Sequence, residues 1–347
     1  MIKHLRSRQN FLAAAVAAGL TLGWPAAATA QTVDGPKVEW KLALWGKPRA
    51  LTAGIETLKK YVGEKTGGKF AINLGYESYG GPKEFLDLLK VGAIDAALVC
   101  PSYHPAKLPA SGVLDLPFLP VANLDAQAKI HEAVLAHPAI LKEYAGWNAR
   151  PLLATLVPQY EFVGKGKAPQ STADFKGMRV RALGGMGEAM RKLGAVPTTV
   201  DATEVYSALE RGTVDAVSFP STYAHQSFKT YEIGKWITEN MSPGAVGCPT
   251  VVNLDSWNKL PAAYKALIEE ARPLAYAVQK ADYQKSDEKN IPLFKKSLVF
   301  VKFSDAELDQ FRAIGAKPVW DAWVAKSAAS GIPGQELLDL VLKTAKQ

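Results

Sequence analysis

"EVYSALERGTVDAVSF", residues 204–219, repeats the pattern of "EFLDLLKVGAIDAALV", residues 84–99. The two stretches coincide at Glu84/Glu204, Leu89/Leu209, Gly92/Gly212, Asp95/Asp215 and Ala96/Ala216. Each reads as an amphipathic helix stopped by a glycine suited to a left-handed C-terminal turn. Each then continues as a short strand of small and β-branched residues. Asp201, three residues before Glu204, predicts a capping box for the second helix. Both strands run into similar loops, "CPSYHP" (100–105) and "PSTYAH" (220–225). Paired units of this kind predict two α/β lobes whose strand ends face each other across a cleft.

Working outward, strand and helix alternate along the chain. "VEWKLALW" (38–45) and "KFAINLGYE" (69–77) read as strands around a helix over 51–68 that a glycine pair stops. "KGMRVRAL" (176–183) is a strand, "MGEAMRKLG" (186–194) a helix and "AVPTTV" (195–200) a strand. "RPLLATLVP" (150–158) and "FVGKGKAP" (162–169) read as connecting strands or hinges and "CPTVVNLDSWNKL" (248–260) as a strand and turn, with the hinges expected near 154–158 and 248–252. Pro261 suits the first turn of a long helix to about Lys289, bent at Pro273. A helical tail covers 304–346. The expected division is 31–156 with 250–285 in one lobe and 157–249 with 286–347 in the other. The long helix should cross both.

The first thirty residues read as a secretory signal rather than as part of the fold. Lys3, Arg6 and Arg8 precede an apolar run, Phe11 to Gly23, too short to span a bilayer. Ala28-Thr29-Ala30 is a small-x-small cleavage site, so the mature chain is expected to start at Gln31, in the periplasm. Without residues 1–30 the formal charge falls from +8 to +5, because three basic groups and no acid are removed. That charge is spread along the chain, with no basic run dense enough for nucleic acid. Cys100 and Cys248 are compatible with one bridge or with two buried thiols.

Catalytic signatures are missing. There is no G-x-S-x-G elbow, H-E-x-x-H pair, phosphate loop or G-x-G-x-x-G turn. The histidines at 4, 104, 131, 137 and 225 have no metal-ligand spacing, so neither metal nor cofactor is expected. Cys100 and His104 are close in sequence but lack a third orienting group. An exported protein of two echoing lobes without a catalytic motif reads as a binding protein. An exported enzyme with a cryptic site, or a ligand-sensing partner of a sensor kinase, is the alternative of another class.

From "STADFKGMRVRALGG" (171–185) to "SFP" (218–220) the sequence resembles the solute receptors of tripartite ATP-independent periplasmic (TRAP) transporters, of the dicarboxylate-binding type. The positions that carry the resemblance are Asp174, Lys176, Gly177, Arg179 and Arg181. Gly194, Ala195, Pro197, Glu204, Tyr206, Ala208, Leu209, Gly212 and Asp215 continue it. It implies a two-lobed periplasmic binding protein of the type II kind, with an interlobe ligand cleft. It also implies an organic acid as ligand and a small and a large membrane subunit as partners. Arg181 occupies the position whose arginine forks a substrate carboxylate, and the Arg179 position faces elsewhere. Two departures bear on the ligand. Phe219 stands where an Asn commonly helps hold the carboxylate, and Tyr160 lies where sialic-acid receptors carry a further Arg. With Trp45 and Tyr103 they predict an aromatic wall, and hence an aromatic or phenylpropenoid monocarboxylate, with a C4-dicarboxylate or a keto or hydroxy acid as the alternative. Tyr103, His104 and Tyr223, on the echoing loops, are expected to hydrogen-bond a ring hydroxyl at the far end. Ser102, His104, Ser218 and His225, beside that wall, complete the expected site.

Overall fold

A computed structural model describes residues 32–347, so the expected signal segment lies outside the described residues. Eleven strands form two sheets. In chain order they are β1 (Val38–Leu44), β2 (Phe70–Tyr76), β3 (Ala96–Leu98), β4 (Ala149–Leu153), β5 (Tyr160–Gly164) and β6 (Arg179–Arg181). They continue as β7 (Val196–Thr198), β8 (Ala216–Pro220), β9 (Trp236–Thr238), β10 (Thr250–Asn253) and β11 (Val299–Val301). The first sheet runs β2-β1-β3-β10-β4 and the second β11-β9-β5-β8-β6-β7. The chain therefore leaves the first sheet after Leu153, returns at Thr250 and leaves again for Val299.

The echoing stretches occupy equivalent places. The helix Phe85–Lys90 ends at Gly92 (φ 68°) before β3, and the helix Val205–Glu210 ends at Gly212 (φ 71°) before β8. Each strand lies parallel to an earlier one, β3 beside β1 with Ala97 opposite Ala43, and β8 beside β6 with Val217 opposite Arg181. The shared aspartates make the same bond. Asp95 Oδ2 accepts from the Lys41 amide (2.8 Å), and Asp215 Oδ2 accepts from the Arg179 amide (2.9 Å). An internal two-fold repeat is thus present down to the strand register. It also puts Ala43 where the other half has Arg181, so only one half carries the cation.

Three expectations need correction or completion. The Asp201 side chain makes no capping bond; it pairs with Lys83 (2.8 Å), which stands at the matching turn of the other repeat. The long helix spans Ala262–Ser297, past the expected end at Lys289, with Pro273 and Pro292 inside it. Each proline removes a helical donor. Burial of Phe294 with Val163, Ile237 and Leu298 nevertheless fastens the last turns to the second sheet. At about 1.5 Å per residue the 36 residues reach roughly 54 Å, enough to serve both sheets. Cys100 and Cys248 form a disulfide, which settles the open choice and joins the end of β3 to the entry of β10.

The crossing at 154–157 is tied down by side chains from two helices. Gln279 accepts from the Leu156 amide (3.0 Å) and Tyr283 donates to the Leu156 carbonyl (2.7 Å). Gln127 brackets Val157, donating to its carbonyl and accepting from its amide, both at 2.8 Å. Buried backbone groups that leave a sheet need such partners, and here amides and a phenol supply them.

Candidate ligand-binding site

Arg181 ends β6, and its guanidinium is enclosed at 1 % exposure. Nε donates to the Val200 carbonyl (3.1 Å), Nη1 to the Ser218 carbonyl (2.8 Å) and Nη2 to the Tyr103 hydroxyl (3.1 Å). A guanidinium has five N–H donors. These three bonds leave one N–H on each terminal nitrogen, the number a forked carboxylate takes. No carboxylate among the described residues forms an ion pair with it. A buried cation without a counter-charge is costly, which marks a place for an anion.

Arg179 differs in every respect. Two residues earlier on the same strand, it is half exposed and holds Asp215 through Nε (3.0 Å) and Nη2 (2.5 Å). Its fork is filled from within the protein.

The wall around Arg181 is aromatic and comes from both sheets. Trp45 follows β1 and Tyr103 follows β3; Tyr160, Phe219 and Tyr223 lie on or just after strands of the second sheet. All five border one cavity with Arg181 and with the Cys100–Cys248 bridge. The Arg181 guanidinium lies 4.6 Å from the Phe219 ring centre. Phe219 stacks on Phe228 (5.0 Å), and Phe228 on Trp45 (6.5 Å). Tyr103 accepts from Arg181 and from the Ala202 amide (3.1 Å), bridging first sheet to second. Burial raises its pKa, so the phenol keeps its proton. The cavity has a volume of about 20 Å³, room for one water molecule.

Four expected residues are not on this wall. His104 is held by the Pro82 carbonyl (3.1 Å), and burial lowers its pKa to about 4. His225 lies between the Thr230 hydroxyl (2.8 Å) and the Glu161 carbonyl (3.1 Å), with burial lowering its pKa to about 3. Its ring meets Phe219 edge-on at 5.7 Å, so it sets the wall from behind. Ser102 borders a separate groove. Ser218 is turned back to the Arg181 carbonyl (3.0 Å), where it fixes the strand that carries the arginine. Sequence reading missed Phe228 and Arg49. Arg49 lies 4.4 Å from the Trp45 ring, and four-residue spacing from an aromatic at a strand end was its one visible signal.

The sequence pattern described as bacterial extracellular solute-binding protein, family 7, matches residues 45–327. The chain belongs to this family. Members of this family are extracellular solute-binding proteins. Among relatives, a monocarboxylate 2-oxoacid-binding periplasmic protein of Nostoc sp. is 28% identical over 250 residues, which cover 68% of this chain. The chain spans 65% of the length of that relative. A TRAP periplasmic solute-binding protein from Desulfovibrio salexigens, solved with bound orotic acid, matches with a TM-score of 0.80 at 20% identity. The match covers 89% of this chain and 99% of that one. A marine metagenome TRAP solute-binding protein specific for aromatic acids, solved with 3-hydroxybenzoate, gives 0.79 at 20% identity, covering 90% and 99%. The fold of this family 7 receptor is therefore the two-lobed α/β fold of the TRAP periplasmic binding proteins, with its long helix.

Proposed function

We propose that this family 7 receptor binds an aromatic organic acid in the periplasm, after removal of residues 1–30, and delivers it to TRAP membrane subunits. The observation that carries the reading is Arg181: buried, without an acidic partner, with one N–H left on each terminal nitrogen and Phe219 against its face. The carboxylate takes the fork, the Tyr103 phenol adds a donor, and the ring of the acid lies among Phe219, Trp45 and Tyr160. The aromatic ligand of the metagenome receptor supports the same class. No helix of the described residues is long and apolar enough to cross a membrane.

Binding is coupled to closure. In the proposed division the first lobe is 31–156 with 250–285 and the second is 157–249 with 286–347, and the strand order supports it. The helix Gly334–Thr344, which this division gives to the second lobe, departs from it by packing on Leu124–Leu135 of the first. Closure removes water from the arginine–carboxylate pair and so strengthens it. Calorimetric titration with benzoate, 3-hydroxybenzoate, cinnamate, succinate and malate tests the reading. Aromatic acids should bind at least tenfold more tightly than the C4-diacids. An outright preference for succinate or malate would overturn the aromatic assignment while leaving the receptor assignment standing.

A further inference from the structure

We infer that the loop after β1 forms a second anion subsite, so that the acid carries a second carboxylate or equivalent oxyanion at its other end. This rests on the reading that Arg181 takes the first carboxylate, and it replaces a monocarboxylate by an aromatic diacid as the best-fitting class.

Three donors within residues 45–49 are buried without an acceptor: Trp45 Nε1, Arg49 Nε and Arg49 Nη2. Such groups are rare in native proteins and call for a reason. Arg49 as a residue is half-buried, while these two nitrogens are fully covered. Its third nitrogen is engaged: Nη1 donates to the carbonyls of Trp45 (2.9 Å) and Lys47 (2.8 Å), which fixes the plane of the group. What is left is the side edge formed by Nε and Nη2. Arg179 uses that same edge, at 3.0 and 2.5 Å, to hold the carboxylate of Asp215. One protein thus shows the fork filled at Arg179 and presents it again at Arg49 without an acidic partner among the described residues.

The donor set decides the chemistry. The parallel Nε and Nη2 donors of Arg49 match a group that only accepts and does so at two points, which a carboxylate does and a hydroxyl does not. Burial also presses the Arg49 pKa below the usual guanidinium value. The two cations flank one aromatic stack: Arg181 lies over Phe219, Phe219 over Phe228, and Arg49 lies 5.5 Å from the Phe228 ring and 4.4 Å from that of Trp45. Tyr223 feels the charge of both. Phe228 borders both the small inner cavity and a wider cleft lined by Gly46, Lys47 and Arg49. A planar acid that parts the stack would reach Arg181 with one end and Arg49 with the other.

The test compares benzoate with isophthalate and terephthalate on the wild-type receptor and on Arg49→Met, Arg49→Lys, Trp45→Phe and Arg181→Ala. One of the two diacids should bind the wild type at least tenfold more tightly than benzoate. Arg49→Met should collapse that ratio toward one, Arg49→Lys should restore part of it, and Trp45→Phe, which keeps a ring and removes a donor, should lower it severalfold. An unchanged melting temperature in Arg49→Lys and Trp45→Phe separates these effects from misfolding. Benzoate binding as tightly as both diacids, or a diacid preference that survives Arg49→Met, would overturn the second subsite alone. Undiminished binding in Arg181→Ala, or no binding of any of the three acids, would instead overturn the parent reading and this one with it.

Discussion

Arg181 and Arg179 share a strand and a side-chain type, yet their surroundings assign them different duties. Arg181→Ala should remove most affinity for any acid, because it leaves a buried carboxylate without its cation, a loss of several kcal/mol. Arg181→Lys should recover part of the loss, since an ammonium cannot form the fork. Arg179→Ala should change affinity by less than about threefold, since its half-exposed pair with Asp215 is screened by solvent and contributes little to stability. Titration calorimetry on the three variants checks this. The buried titratable residues set a pH window. Burial holds His104 and His131 at a pKa of about 4 and His225 at about 3, so the unfolded chain takes up protons first. Their stability is present above pH 6.5 and is lost as pH falls toward 4. Asp115 has the opposite sign. Burial, opposed by a bond from the Gly247 amide, raises its pKa to about 8, so its share of stability is lost as pH rises from 4 through 8. Melting temperature should therefore fall steeply below pH 6.5. Asp115→Asn should flatten the decline between pH 5 and 8; an unaltered profile in that variant would rule out Asp115 as its source.

Elements were legible where punctuation residues fix the backbone. Gly92, Gly212, Asp95 and Asp215 have local roles, a left-handed stop and an amide acceptor, so the sequence alone announced the repeat. The role proposed for Arg181 was legible because its spacing from the glycines matches a known receptor pattern. Arg49 was not, since an unpartnered guanidinium edge exists only after Trp45 and Phe228 pack around it. His104 and His225 were misplaced for a related reason: a loop sequence carries no record of which carbonyl its imidazole will meet. The glycine pair after Arg181 makes a further test. A Cβ on Gly185, in the helix Gly184–Lys192, would lie 2.6 Å from the Asp115 carbonyl oxygen and 2.9 Å from Leu116 Cα, both backbone atoms of the facing half. Gly185→Ala should thus hold the lobes apart and weaken ligand binding at least tenfold. Gly212→Ala, in open space, should cost only the strain of its positive φ, about 1–2 kcal/mol. X-ray scattering on ligand-saturated protein distinguishes them: a larger radius of gyration is expected for Gly185→Ala alone.

At the scale of the whole molecule, the disulfide closes a loop of 148 residues in sequence. Loop-closure arithmetic for so long a loop gives about 5 kcal/mol, and losses on removal of native bridges run at roughly 2–5. A Cys100→Ser, Cys248→Ser double variant should lose stability in that range by denaturant unfolding, and a loss under about 1 kcal/mol would contradict this account. Because both cysteines border the cavity proposed to take the ligand, the same variant should bind acid less tightly. The strand order adds a consequence for biogenesis. β10 sits between β3 and β4, so the first sheet stays in two pieces until residue 253 is present. A chain delivered N-terminus first therefore completes its second-sheet core strands, β5 to β9, before the sheet with which it began. Over that interval Cys100 is a thiol awaiting a partner not yet delivered. Any nascent chain arrested short of residue 248 is then open to capture by foreign disulfides, and oxidative folding of this receptor must be completed late, from its middle outward.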